Sequence, residues 1–292
     1  MTAVRVPAGD VGVKASEALA RTGGAARVLA VLRESIYLTA GDDIVWLGPQ
    51  GAPLHARAIL TSMDAASRAD RPIATGDLIA IDTAGARTWR PEPLLLDGDR
   101  ATVLIHRARE LRERLDAVGP PAGLAVLIGG RTTAHATAPS RLSDASAHRA
   151  APHVRALARA CAAGDAFAAT GPATALLGLG AGLTPSGDDL VGAMYFARHL
   201  LAHASLVDAD AWRASASTVV ACARTRTHRI SAALLHDLAT GDGHAPLHDL
   251  VAALSRGAAP VPVFDVARRL VRIGHSSGWD MLAGLFIGLG QG

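Results

Sequence analysis

Short apolar runs broken by turn residues fill the first third of the chain, and apolar positions at helical spacing fill the rest. Ser35–Thr39, Ile44–Leu47 and Leu54–Leu60 are separated by turn formers such as Gly41-Asp42-Asp43, a punctuation that predicts strands. Asp77–Asp82 and Arg87–Arg90 flank Thr83-Ala84-Gly85 and predict a further hairpin. Ahead of these, Val11 to Leu32 carries a helical pattern that Gly23-Gly24 interrupts.

The character changes after Asp99. Ala101 to Val118 has apolar residues at helical spacing, and alanine and leucine dominate the remainder of the chain. The pattern predicts helices over 153–163, 186–202, 209–224, 230–240, 246–255, 264–271 and 277–289. Ala122–Gly129 is short and fully apolar, so it reads equally as a buried strand or a helical turn. The stretch from 129 to 151, rich in Ser, Thr, Ala and Arg, is the best candidate for a mobile loop. The expected fold is α+β: a β-rich module over residues 1–100, then a larger, mainly helical domain over 101–292.

Composition narrows the class. With 292 residues, half of them hydrophobic, the chain can bury a large core. The net charge of +3 comes almost wholly from arginine, with Lys14 the lone lysine. These cations are interspersed with acids and aromatic residues are only 3%, which argues against nucleic acid as a partner. Residues 1–10 lack the charged and apolar regions of a signal peptide, and no later run reads as a membrane span, so the expected location is cytoplasmic. Cys161 and Cys222 sit in alanine-rich helical contexts without metal-ligand spacing and read as buried thiols.

Candidate chemistry gathers at two glycine- and serine-rich turns. The first is Gly178-Leu-Gly-Ala-Gly-Leu-Thr-Pro-Ser-Gly-Asp-Asp189, with Gly180 and Gly182 shaping the turn, Thr184 or Ser186 as helix cap and Pro185 suited to the first helical position. Free amides, two hydroxyls and the positive end of a helix dipole would converge here, the arrangement that holds phosphate or carboxylate. Many helices open this way for structural reasons alone. Asp188 and Asp189 shift the balance: they would crowd a bound anion, and are better used to orient a substrate amide, bind a metal or accept a proton.

The second turn is Gly274-His-Ser-Ser-Gly-Trp-Asp280. Ser186-Gly187-Asp188-Asp189 aligns with Ser277-Gly278-Trp279-Asp280, and the match runs down both helices, because Asp189, Ala193 and Ala197 are spaced like Asp280, Gly284 and Gly288. Each first-turn aspartate tops a ridge of small residues four apart. Such ridges allow close backbone approach, so the two helices are expected to pack together and present both N-termini to one cleft, with Ser276, Ser277 and His275 beside it. Two unrelated serine caps are the alternative. Trp279 reads as pocket wall or core, and His275 as an anion donor, proton carrier or structural histidine.

A third segment, Arg224–Ser231, clusters arginines and hydroxyls at a helix boundary. Thr227, Arg229 and Ser231 are its candidates for anion binding, against a solvated charged face.

Together these blocks resemble the signatures of the AllH family, which includes the AllH subunit of bacterial oxamate carbamoyltransferase in allantoin breakdown. Gly51-Ala-Pro-Leu-His-Ala-Arg57 adds to a likeness over most of the chain; Ala181 departs from it where proline is expected. The resemblance implies carbamoyl transfer between an oxamate-like amide and phosphate, with carbamoyl phosphate as product, inside an assembly with other subunits. It would place one anion on the Gly180–Gly187 turn with Thr184 and Ser186. Ser276, Ser277, Gly278 and His275 would hold a second anion or polarise the carbonyl, and Asp189 or Asp280 would take the amide nitrogen. No cofactor is expected. A competing reading places Mg²⁺ on Asp188, Asp189 and Asp280 in a hydrolase, and a third makes the chain a non-catalytic anion-binding subunit.

Overall fold

The computed structural model describes residues 4–62, 73–94, 96–128, 144–257 and 260–290. They divide into two compact units, Met1–Glu92 and Pro93–Gly292.

The first unit is one mixed sheet of eight strands with a helix packed on it. In chain order it runs β1 (Val4–Pro7), β2 (Asp10–Gly12), helix α1 (Val13–Arg21), β3 (Ala25–Val31), β4 (Ile36–Ala40), β5 (Asp43–Pro49), β6 (Ala58–Thr61), β7 (Leu78–Asp82) and β8 (Arg87–Trp89). Across the sheet the order is β1-β7-β3-β4-β5-β6-β2-β8. Val6, Val28, Leu38, Val45, Leu47 and Ile59 point into its core with Leu19 of α1.

Three local expectations are corrected here. The helical pattern through Leu32 stops at Arg21, because Gly23 and Gly24 take left-handed backbone angles (φ 60° and 82°) that turn the chain into β3. The turn at Thr83–Gly85 forms, but β7 and β8 do not pair: β7 lies between β1 and β3, and β8 runs parallel to β2. The buried Asp10 carboxylate fixes that edge by accepting from Arg87 Nε at 2.7 Å. The Leu54–Leu60 run becomes strand only at Ala58.

The second unit is helical: α2 (Gly98–Glu113), α3 (Asp144–Ala162), α4 (Ala166–Leu176), α5 (Ser186–His203), α6 (Ala209–Arg226), α7 (Arg229–Ala239), α8 (Ala245–Ser255), α9 (Pro260–Val271) and α10 (Ser277–Gly288). Residues 115–117 and 123–127 form single 3₁₀ turns, so the apolar 122–129 run resolves as a helical turn through 127. Of the expected mobile stretch, 129–143 lies outside the described residues and 144–151 is the start of α3. Helix α4 is absent from the helices that the sequence pattern predicts, and it carries Pro172 within it. None of the described helices is long and apolar enough to cross a membrane. Cys161 is buried and Cys222 half-buried, both free.

Helices α5 and α10 form the centre. Every residue from Ser186 to Arg198 and from Gly278 to Gly288 is buried, so both helices are apolar nearly all round, as central helices must be. They lie against each other, with α7 on the far side of α5 and α9 beside α10.

Candidate functional site

The small-residue ridge decides how α5 and α10 meet. A methyl group on Gly284 would lie 2.1 Å from the Leu190 carbonyl oxygen and 2.9 Å from the Ala193 methyl. One on Gly288 would lie 2.5 Å from the Met194 oxygen and 2.6 Å from the Ala197 methyl. Backbone therefore packs on backbone, with Gly284 beside Ala193 and Gly288 beside Ala197, the register that the internal repeat predicts. Same-register contacts at successive turns make the two helices parallel, so their N-termini share one end.

The glycines of Ser-Gly-x-Asp have matching jobs. A methyl on Gly187 would sit 2.0 Å from the carbonyl oxygen of Leu176, which ends α4, and one on Gly278 would sit 1.9 Å from that of Leu270 in α9. Each central helix thus starts hard against the end of the helix before it. The preceding turns pass through left-handed glycines, Gly178 (φ 72°) and Gly274 (φ 60°). The internal echo is a repeated unit of helix, glycine turn and central helix.

This packing occupies two amides expected for an anion: Gly187 N–H donates to Leu179 O and Gly278 N–H to Ile273 O. The caps also differ from expectation. Pro185 itself takes the N-cap position of α5 and Ser276 that of α10, neither with a side-chain capping bond, leaving Ser186 and Ser277 as first helical residues. Freed from capping, their hydroxyls face across the helix pair. Ser186 Oγ lies 3.2 Å from Ser276 Oγ, and Thr184 Oγ1 lies 3.4 Å from Ser277 Oγ. Ser186 is buried; Thr184, Ser276 and Ser277 are half-buried and lead outward to exposed Gly182 and His275.

Beneath the hydroxyls lie Asp189 and Asp280. Asp280 is fully buried, with Oδ1 accepting the Leu124 N–H at 2.6 Å, while Oδ2 has no hydrogen-bond partner among the described residues. Burial pushes its pKa up to about 7, moderated by the Leu124 amide and by the Ser186 and Ser276 hydroxyls. Asp189 likewise has a buried Oδ2 without a hydrogen-bond partner among the described residues. Burial and the neighbouring Asp280 charge raise its pKa well above the ordinary range, with Ser277 opposing. The service is reciprocal: the α5 serine tempers the α10 aspartate, and the α10 serine tempers the α5 aspartate. Two helix-dipole ends add positive potential at the same place.

Asp188 faces the other way. Its Oδ1 accepts Gly178 N–H at 2.8 Å, and its Oδ2 accepts both Ser231 Oγ–H at 2.7 Å and the Thr227 hydroxyl. Burial raises its pKa while these three donors hold it down. Thr227 and Ser231 are therefore Asp188's partners, and together they tie the first turn to the α6–α7 junction. Arg229 is exposed on the first turn of α7 and makes no hydrogen bond or ion pair among the described residues. Gly180 turns at φ 131°, where a methyl would approach Ser186 N to 2.7 Å. Trp279 is core.

Among the described residues no three His, Cys, Asp or Glu side chains are arranged to hold a metal ion; of the trio considered for Mg²⁺, Asp188 has both oxygens engaged. Sequence reasoning missed Gly123 and Leu124. Gly123 adopts φ 58°, and a methyl there would fall 2.3 Å from Asp280 Oδ1, so the 3₁₀ turn can deliver its amide to the carboxylate only with glycine at this position. The signal was Pro120-Pro121-Ala122-Gly123, a turn sequence leading straight into an apolar run.

Residues 176–289 match the family described as oxamate carbamoyltransferase subunit AllH. The match covers both glycine-serine turns and the Asp188 partners, as the resemblance implied; Gly51–Arg57 lies outside it. No curated protein and no solved structure matches the chain.

Proposed function

We propose that the chain is a subunit of a carbamoyltransferase of the oxamate type, carrying the substrate site between the N-termini of α5 and α10. The observation that carries the reading is the crossed set of serine hydroxyls above two buried carboxylates, each with an unpartnered oxygen, inside the segment that matches the family.

In this reading the half-buried hydroxyls of Thr184, Ser276 and Ser277, with Ser186, donate to the carboxylate or phosphate of the substrate, and the paired helix dipoles favour its charge. Asp189 and Asp280 accept from the amide nitrogen. When the oxamate nitrogen attacks the carbamoyl carbon of carbamoyl phosphate, a C–N bond forms, the C–O bond to phosphate breaks, and the nitrogen sheds a proton. Asp280, poised near neutral pH, accepts that proton through Oδ2, or returns it in the reverse direction. Asp188 positions the turn and touches no substrate. Partner subunits accord with the description of the matched family as a subunit, and a place in allantoin or purine nitrogen breakdown is part of the proposal, resting on the resemblance.

The test is phosphate release from carbamoyl phosphate and oxamate by the chain, alone and with the products of neighbouring genes. Release that Asp280→Asn lowers at least 100-fold supports the reading. Oxamate or phosphate binding without turnover in every combination would make the chain a binding subunit instead, and absence of both would end the proposal.

A further inference from the structure

A second cluster lies at the opposite end of α5. His199 and His203 are one turn apart on its last residues, and their Nε2 atoms share a hydrogen bond at 3.1 Å, a bond a chelated ion would replace, with ring centroids 4.5 Å apart and planes at 73°. His199 is half-buried against the turn after α7, where Gly241 (φ 93°) leaves the room it needs: a methyl there would lie 2.8 Å from the ring's Nε2. His203 is exposed, so water reaches the pair.

Two nitrogens bound about 2.0–2.1 Å from one ion stand roughly 2.9–3.4 Å apart at right-angled to tetrahedral geometry. The observed separation falls in that interval. We propose that His199 and His203 chelate a late first-row divalent ion, Cu²⁺, Ni²⁺ or Zn²⁺, through both Nε2 atoms, with water filling the remaining positions. Burial, His203 and the Arg213 guanidinium lower the His199 pKa, with Asp242 opposing; metal binding itself requires the neutral rings. Asp242 is the acidic neighbour on this side, and Arg213, the basic one, pairs with Asp210 at 2.5 Å. No third protein ligand is in place among the described residues, so the ion keeps open positions. Ten residues of helix, about 15 Å, separate this pair from Asp189, and the proposal does not depend on the carbamoyltransferase reading.

The experiment is calorimetric titration of the full chain with Cu²⁺ and Ni²⁺, repeated for His203→Ala and His199→Gln, with thermal melts to check folding. One ion per chain is expected, weakened at least tenfold in either variant, and the Cu²⁺ complex should show an EPR spectrum with two equivalent imidazole nitrogens. Because His203 is exposed, its variant tests the site even if His199→Gln disturbs packing. Binding unchanged in His203→Ala, weak binding spread over the other histidines, or none, would overturn the assignment.

Discussion

Gly284→Ala puts one methyl group into the closest backbone contact of the helix pair. The methyl would start 2.1 Å from the Leu190 carbonyl oxygen, whereas non-bonded contacts settle near 3.5 Å, so α10 must retreat by about 1 Å. Alanine gains about 1 kcal/mol over glycine in a helix interior, but forcing a methyl into a filled interior costs about 1–3 kcal/mol. Here the obstacle is backbone in a buried helix and cannot swing aside, so the loss should win by about 1–2 kcal/mol. With a urea slope of about 2 kcal/mol/M the unfolding midpoint then falls by about 0.5–1 M. The shift also parts Ser186 from Ser276, now 3.2 Å apart, and under the proposed function a displacement of this size costs about 100-fold in turnover. Gly171→Ala is the matched control: it lies in α4 with nothing within 4 Å of the added methyl, and should leave stability level or raise it by up to about 1 kcal/mol. A Gly284→Ala chain as stable and active as the parent would refute the backbone-to-backbone packing of α5 on α10.

Individual contacts set three more expected outcomes. Gly123→Ala combines a left-handed backbone with a methyl 2.3 Å from Asp280, and should lower stability by at least about 2 kcal/mol in urea melts. Asp188→Ala strands the Gly178 amide and the Thr227 and Ser231 hydroxyls, costing about 3–5 kcal/mol; an exposed-residue control such as Arg229→Ala should stay within about 0.5 kcal/mol. The raised pKa of Asp280, about 7, means that the folded chain holds a proton the unfolded chain has lost between about pH 4 and 7. Its contribution to stability is therefore complete below the unfolded pKa near 4 and declines by about 1.4 kcal/mol per pH unit up to about 7. Asp280→Asn should flatten that decline in melts across the window; an unchanged slope would assign it to other groups.

The central pair of helices was legible because its signal is local and periodic. Ser-Gly-x-Asp above a four-residue ridge of small side chains carries both the register and the shared end. Partnerships made across the chain were not legible. Asp188 finds Thr227 and Ser231 39 and 43 residues away, and Asp280 finds Leu124 at a separation of 156, so nothing in the first turn shows which aspartate is already satisfied. In the sheet, Ala25–Val31 is as apolar and alanine-containing as a helix, and only its flanking glycines separate the two readings. The absent β7–β8 hairpin reflects non-local pairing, in which each strand finds more buried partners elsewhere. The hidden helix α4 shows Pro172 tolerated in the second turn, where loss of one amide bond is offset by burial of Ala169, Ala173 and Leu176.

Where an oxamate or phosphate ion binds decides the proposed function. A crystal of the full chain soaked with oxamate or phosphate should show it at the shared end of α5 and α10, within hydrogen-bond distance of at least two of Thr184, Ser186, Ser276 and Ser277, and the site should empty in Ser186→Ala/Ser276→Ala. An anion held instead by Arg107 and Arg114 in the groove between α2 and α9, with the serine cluster vacant, would contradict it.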